Sequence, residues 1–286
     1  MPWPFDVASL PELAEAAQLA ASAGLRVQTV IPVDQEDLPL PDRGTQGDAA
    51  EPVRRLICYR SLRPGWAGPL VRSERAVEPG ALAAGVAELL SGPPLVEGPG
   101  YAGPEVIDVL VCTHGRRDSC CGARGMDLVS RLSVSPFLTT HPGVRLWRTS
   151  HTGGHRFAPT SILLPSGTLW AWADEALLQA AAFGEGKPGE WLGRYRGCAT
   201  LGSPAQQAVE RAVLAEVGWR LIGSMRRATD LGDGVVRLES EWGDVWEAAV
   251  REGRRVPQPD CRTPPELAAK QSTEWVVEGL RQVVPA

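Results

Sequence analysis

The chain has 286 residues, 43% of them apolar, enough to bury a sizeable core in one large domain or in two to three small ones. A formal net charge of −5 argues against a general nucleic-acid binder. No apolar run reaches the roughly 18 residues that a membrane helix needs. The opening stretch MPWPFDVASLPELAEAAQLAASAG has no basic start and carries Asp6, Glu12 and Glu15, so no export signal is expected and the protein is placed in the cytoplasm, where thiols stay reduced.

In chain order, Ala8 to Gly24 reads as an Ala-rich helix closed by glycine, and LRVQTVIPV as a strand. A polar, acidic loop follows from Asp34 to Glu51, then a strand VRRLICYR and a helix PGALAAGVAELLSG. The stretch GPPLVEGPGYAGPE is dense in Gly and Pro and reads as a boundary or long connection. VIDVLVC is a buried strand by its Val/Ile/Leu run. THGRRDSCCGARG reads as a loop, MDLVSRLSV as a helix and VRLWRTS as a strand, followed by the glycine loop HTGGHR. FAPTSILLP and TLWAWA read as a hairpin around the turn PSG, and DEALLQAAAFG as a helix with an acidic N-terminus and a closing glycine. SPAQQAVERAVLAEVG is a serine-capped helix, and RLIGSMRRAT, GVVRLESEW and VWEAAVREG read as strands. The tail TPPELAAKQSTEWVVEGLRQVV is ambiguous. The reading is an α/β, overall α+β, protein. It comprises an N-terminal α+β region (1–98), a middle domain (99–187) whose β-α-β-β-β-α order is compatible with a thioredoxin-like layer, and a C-terminal α+β region (188–286).

All four histidines, His114, His141, His151 and His155, fall between Cys112 and His155, a stretch that also holds three of the six cysteines. In a long cytosolic chain such clustering points to metal binding or catalysis rather than to disulfides. Two segments stand out, Cys112-Thr-His114-Gly-Arg116-Arg117-Asp118-Ser-Cys120-Cys121 and Ser150-His151-Thr-Gly153-Gly154-His155-Arg156-Phe157, each directly after a predicted strand. Strand ends fix the base of a loop while the loop wraps a ligand. The two glycines permit turns that would let both imidazoles converge, and a thiolate pair with an imidazole pair suits iron–sulfur or zinc. From Cys112 to Arg156 there are seven arginines and two aspartates, a basic segment in an acidic protein.

Both segments resemble the sucrase/ferredoxin-like family, in its pattern of roughly C-T-H-x-x-R-D-x-C-C followed by S-H-x-G-G-H-R-F. The resemblance is expected from about Val106 to the end and is weakest before Pro93. It implies a thioredoxin-like domain with a bis-histidine, non-Rieske [2Fe–2S] cluster. The implied ligands are Cys112, Cys121, His151 and His155, with the cysteines on one iron and the histidines on the other. Arg116, Arg117 and Arg156 would donate hydrogen bonds to cluster sulfur or steer an acidic redox partner, or else belong to an Arg117–Asp118 structural network. His114 is read as a supporting group, since no downstream Cys-x-x-His completes a Rieske box, and His141 as a turn residue. Cys120 could replace Cys121 as ligand, pack in the core, or be a spare thiol. Cys58, Cys198 and Cys261 are read as structural, Cys261 in an exposed loop. The function implied is electron carriage with an external reductase or acceptor and no nucleic-acid or membrane partner. The alternatives are a Cys2His2 structural zinc protein and a thiol redox enzyme using Cys120 and Cys121. No carboxylate pair can be nominated for glycoside hydrolysis, and neither a dinucleotide fingerprint nor a P-loop is present.

Overall fold

The computed structural model describes residues 11–33, 54–92, 106–261 and 263–284. The predicted loop from Asp34 to Glu51 and nearly all of the Gly/Pro-rich connection lie outside them. Helix α1 (Pro11–Ser22) ends before Gly24, whose φ of 74° closes it, and a short strand β1 (Val30–Pro32) follows. Strands β2 (Arg54–Arg60) and β3 (Val71–Val77) form an antiparallel hairpin that helix α2 (Leu82–Ser91) covers through Leu82 and its neighbours.

The middle of the chain runs β4 (Ile107–Cys112), α3 (Ser119–Ser133), α4 (Pro136–Thr140), β5 (Val144–Thr149), β6 (Ser161–Leu164), β7 (Thr168–Trp170) and α5 (Glu175–Phe183). This is the predicted β-α-β-β-β-α order, with the short α4 inserted after Ser135, whose hydroxyl accepts from the Phe137 N–H. Strand β8 (Tyr195–Cys198) completes a six-stranded sheet in the order β1-β5-β4-β6-β7-β8. Strands β4 and β5 are parallel and every other pairing is antiparallel. The sheet therefore takes β1 from before residue 98 and β8 from beyond residue 187.

Helix α6 (Pro204–Val217) is capped by Ser203, whose hydroxyl accepts from the Gln206 N–H. It leads to a second antiparallel sheet, β9 (Arg226–Gly232), β10 (Val235–Ser240), β11 (Val245–Pro257) and β12 (Gln271–Val283). The mixture of helices with mostly antiparallel strands makes the fold α+β. The ambiguous tail is thus mostly a long strand, and the first part of RLIGSMRRAT, expected to be extended, is the end of a 3-10 turn (Gly218–Leu221) and a bend before β9 begins. Among the described residues, no helix is long and apolar enough to cross a membrane.

Alternation on β4 sends side chains to both faces of the six-stranded sheet. Val109 and Val111 join Leu128, Leu132, Leu146, Leu163 and Leu177 in a core that continues through Val213 of α6 to Leu238 and Val250 of the second sheet. Leu110 joins Trp147, Ile162 and Leu169 on the opposite face. At the start of the strand the buried Asp108 accepts from Arg145 (Nε to Oδ1, 2.6 Å), from Trp147 (Nε1 to Oδ1, 2.7 Å), from Arg72 of β3 and from the hydroxyl of Tyr59 of β2. The carboxylate is the common acceptor that ties the β2–β3 hairpin to the sheet. Removing one partner of a buried charge network costs about 3–5 kcal/mol, because the remaining charges stay buried without compensation. Asp108→Ala is therefore expected to lower unfolding stability by that order, read as a drop in the urea midpoint. Arg131→Ala, which breaks only an exposed pair with Asp127, should shift it little.

Candidate metal centre

Cys112 is the last residue of β4, and its chain continues through a tight loop into α3. The sequence predicts a loop at Cys120 and Cys121; the structure places both in the first turn of α3. The difference matters because successive helical side chains point about 100° apart. Cys121 turns inward to Cys112, and both are completely buried. Cys120 turns the other way, partly buried, with its sulfur 3.6 Å from Nδ1 of His155. The vicinal pair is therefore divided between two environments, and Cys121 rather than Cys120 stands beside Cys112.

The closeness of α3 to the end of β4 depends on Gly125. A Cβ at that position would lie 2.0 Å from the Cys112 carbonyl oxygen. Asp118 holds the N-cap position of α3, yet its side chain caps nothing. Its carboxylate faces the second loop instead, with Oδ2 3.1 Å from Nδ1 of His151 and Oδ1 3.8 Å from Nδ1 of His155. Both histidines thus converge on one carboxylate. The turn between them uses left-handed backbone at Gly153 (φ 89°) and Gly154 (φ 69°), as the sequence predicts.

The donor atoms of Cys112, Cys121 and His151 all lie within 4.8 Å of one another, and those of Cys120, His155 and Cys261 form a second such group. Of the four expected ligands, three are brought together, and His155 lies across Asp118 from them. Nδ1 of His151 and Oδ2 of Asp118 are both buried and face each other at 3.1 Å, in close contact but without hydrogen-bond geometry. The hydrogen bond from the Cys121 thiol holds the Cys112 thiol well below the usual thiol range despite burial, helped by His151 and by the backbone at His114 and Thr152. Cys121 is pushed up correspondingly by donating to Cys112 and by burial. Burial also lowers His114, which the Cys112 thiolate partly offsets. The Cys120 thiol rises to about 11 through burial and its contact with Cys261.

The other residues singled out in the sequence lie around these donor groups or away from them. Arg116 and Arg117 are exposed. Arg156 donates from Nη2 to the Ser272 hydroxyl of β12 (2.9 Å), with its guanidinium 4.5 Å from the Phe157 ring centre. His141 stacks on Phe183 with ring centres 4.3 Å apart and bonds within α4, the turn role expected of it. Cys198 is buried in β8 and Cys58 lies in β2, both away from the two donor groups.

Three further residues contribute to the surroundings of the donor groups. Arg26 donates to the Thr152 carbonyl (2.6 Å) and Arg196 to the Gly153 carbonyl (3.2 Å), so two guanidiniums hold the loop that carries both histidines. Arg26 lies outside the segments that carry the family resemblance, and Arg196 lies within the stretch RYRGCATLGSPAQQAVE that shares it. Cys261, expected to be structural, meets Cys120 and His155. Its exposed setting after Pro259 and Asp260 was the only sequence signal.

A family model described as sucrase/ferredoxin-like matches residues 25–217. The chain belongs to the sucrase/ferredoxin-like family. The match begins well before the Val106 expected from the motifs and ends at the close of α6, so the sheet from β9 to β12 lies beyond it. The family segment thus opens next to Arg26, Gln28 and Thr29, which bond to the histidine loop and to the end of β5. No curated protein and no solved structure matches this chain.

Gly125→Ala is expected to push α3 off the end of β4 and cost about 1–3 kcal/mol, the usual penalty for overpacking. Gly189→Ala, where a Cβ would meet nothing within 4 Å, should be close to neutral. Thermal melts of both variants check this contrast.

Proposed function

We propose that this protein is an electron carrier holding a [2Fe–2S] cluster through Cys112 and Cys121 on one iron and His151 and His155 on the other. The observation that carries this reading is the clustering of two fully buried cysteine sulfurs with the His151 imidazole, their donor atoms all within 4.8 Å of one another. Such a donor set suits an iron–sulfur centre. His155 joins the set on the strength of the family resemblance and of the Asp118 carboxylate it shares with His151. Bound there, such a cluster supplies one-electron transfer at a potential above that of a plant-type ferredoxin, because two thiolates and two neutral imidazoles leave the oxidised centre uncharged.

The chain's own residues supply the setting. Asp118 stands where it can accept an imidazole N–H and fix ring orientation. Arg26 and Arg196 restrain the histidine loop from behind. The exposed Arg116 and Arg117 present positive charge beside the site, suited to an acidic face on an external reductase or acceptor. The thiol-enzyme alternative loses the vicinal Cys120–Cys121 pair, whose side chains diverge. Zinc accepts the same donors, and colour separates the two metals: a [2Fe–2S] protein is red-brown and a zinc protein colourless.

Protein purified anaerobically is expected to contain about two irons and two acid-labile sulfides per chain and to give an EPR signal on reduction. Cys112→Ser should abolish both. His151→Cys and His155→Cys should each keep a cluster and move its g values, and Cys58→Ser should leave iron unchanged. Iron at background in the fresh wild-type protein would overturn the reading.

A further inference from the structure

The sulfurs of Cys120 and Cys261 lie 2.8 Å apart, although 141 residues separate them in the chain. Cys120 comes from the first turn of α3 and Cys261 from the connection between β11 and β12. That connection is closed at its neck, where the Gln258 N–H donates to the Lys270 carbonyl (2.7 Å), and turned at its tip, where the Thr263 N–H donates to the Asp260 carbonyl (2.9 Å). Arg156 anchors the neighbouring strand through Ser272. Cys261 is thus presented on a built turn. It is exposed, and Cys120 is partly buried behind it. The same connection lies beyond the family match.

We propose that Cys120 and Cys261 form a reversible disulfide clasp that locks the β11–β12 connection against the His155 side of the site. The sulfurs already lie closer than a non-bonded contact, and bond formation needs only a further approach to about 2.05 Å. With a peroxide as oxidant, the exposed Cys261 thiol is oxidised first to a sulfenic acid, releasing one water. The Cys120 sulfur then attacks the Cys261 sulfur; the S–O bond breaks, the S–S bond forms, and the hydroxyl leaves with the Cys120 proton as a second water. Two thiols lose two electrons in all and the peroxide gains them. A small dithiol reverses the reaction by exchange. Cys121 is not a competing partner, because it points inward to Cys112. The clasp does not require that the neighbouring centre hold iron, since the two sulfurs meet in the protein alone.

Peptide mapping under non-reducing conditions, after hydrogen peroxide and alkylation of remaining thiols, tests this on the full-length protein. The tryptic peptides spanning 118–124 and 256–262 should appear cross-linked, with an intact mass about 2 Da lower, and dithiothreitol should restore both. Cys120→Ser and Cys261→Ser should each abolish the link while keeping the wild-type iron content. Loss of iron in those variants would count against the clasp, by making these cysteines part of the metal centre. A link from Cys121, no link at all, or bound zinc protecting Cys120 and Cys261 from alkylation would overturn it. Iron-free wild-type protein that still cross-links would uphold the clasp and defeat only the cluster reading.

Discussion

The arrangement of the site depends on one backbone contact, the seating of the first turns of α3 on the carbonyl end of β4. Gly125 permits it, since any side chain there would occupy the space of the Cys112 carbonyl oxygen. Once helix and strand are in contact, helical geometry decides the rest. Cys121 must face the strand end and Cys120 must face away. Asp118, one residue before the helix, is left with its carboxylate toward the histidines rather than capping its own helix. The strand is equally constrained at its other end, where Asp108 gathers Arg72, Arg145, Tyr59 and Trp147. A central strand held at both ends is a rigid base for buried thiols.

The histidine loop is organised by parts of the chain far from it in sequence. Ser150 donates its N–H to the Thr29 carbonyl (2.9 Å) and its hydroxyl to Oε1 of Gln28 (2.9 Å). Arg26 and Arg196 take the next two carbonyls, those of Thr152 and Gly153. Burial lowers both of these guanidiniums, and Arg196 is lowered further by its positive neighbours Arg26 and Arg156. The concentration of positive charge around this loop is therefore greater than the central segment alone implies. The short β1, which pairs with β5, is the means by which residues 26–29 reach the site. The N-terminal region thus supports the loop directly.

Much of this organisation is legible in the sequence where a single physical signal dominates. The Val/Ile/Leu run of β4, the closing glycine of α5 and the serine cap of α6 each specify their element locally. The His-x-Gly-Gly-His turn follows from the freedom of its glycines. The start of α3 is not legible, because Ser119, Gly122 and Gly125 are poor helix formers and the contact with β4 that favours the helix is tertiary. Strand β3 is hidden for a related reason. Its sequence VRSERAV looks like a charged surface, yet Arg72 is buried and pairs with Asp108 and Glu74. The position of Cys261 is the least legible of all, since it depends on where a long hairpin of the second sheet ends in space.

Two sulfurs from Cys112 and Cys121 and two nitrogens from His151 and His155 define the account. Pulsed ENDOR spectroscopy on the reduced protein, grown with 15N-labelled histidine, tests that ligand set most directly. Two strongly coupled imidazole nitrogens, one of them lost in each His→Cys variant, are the predicted result. A reduced cluster signal with no histidine nitrogen coupling would contradict the account.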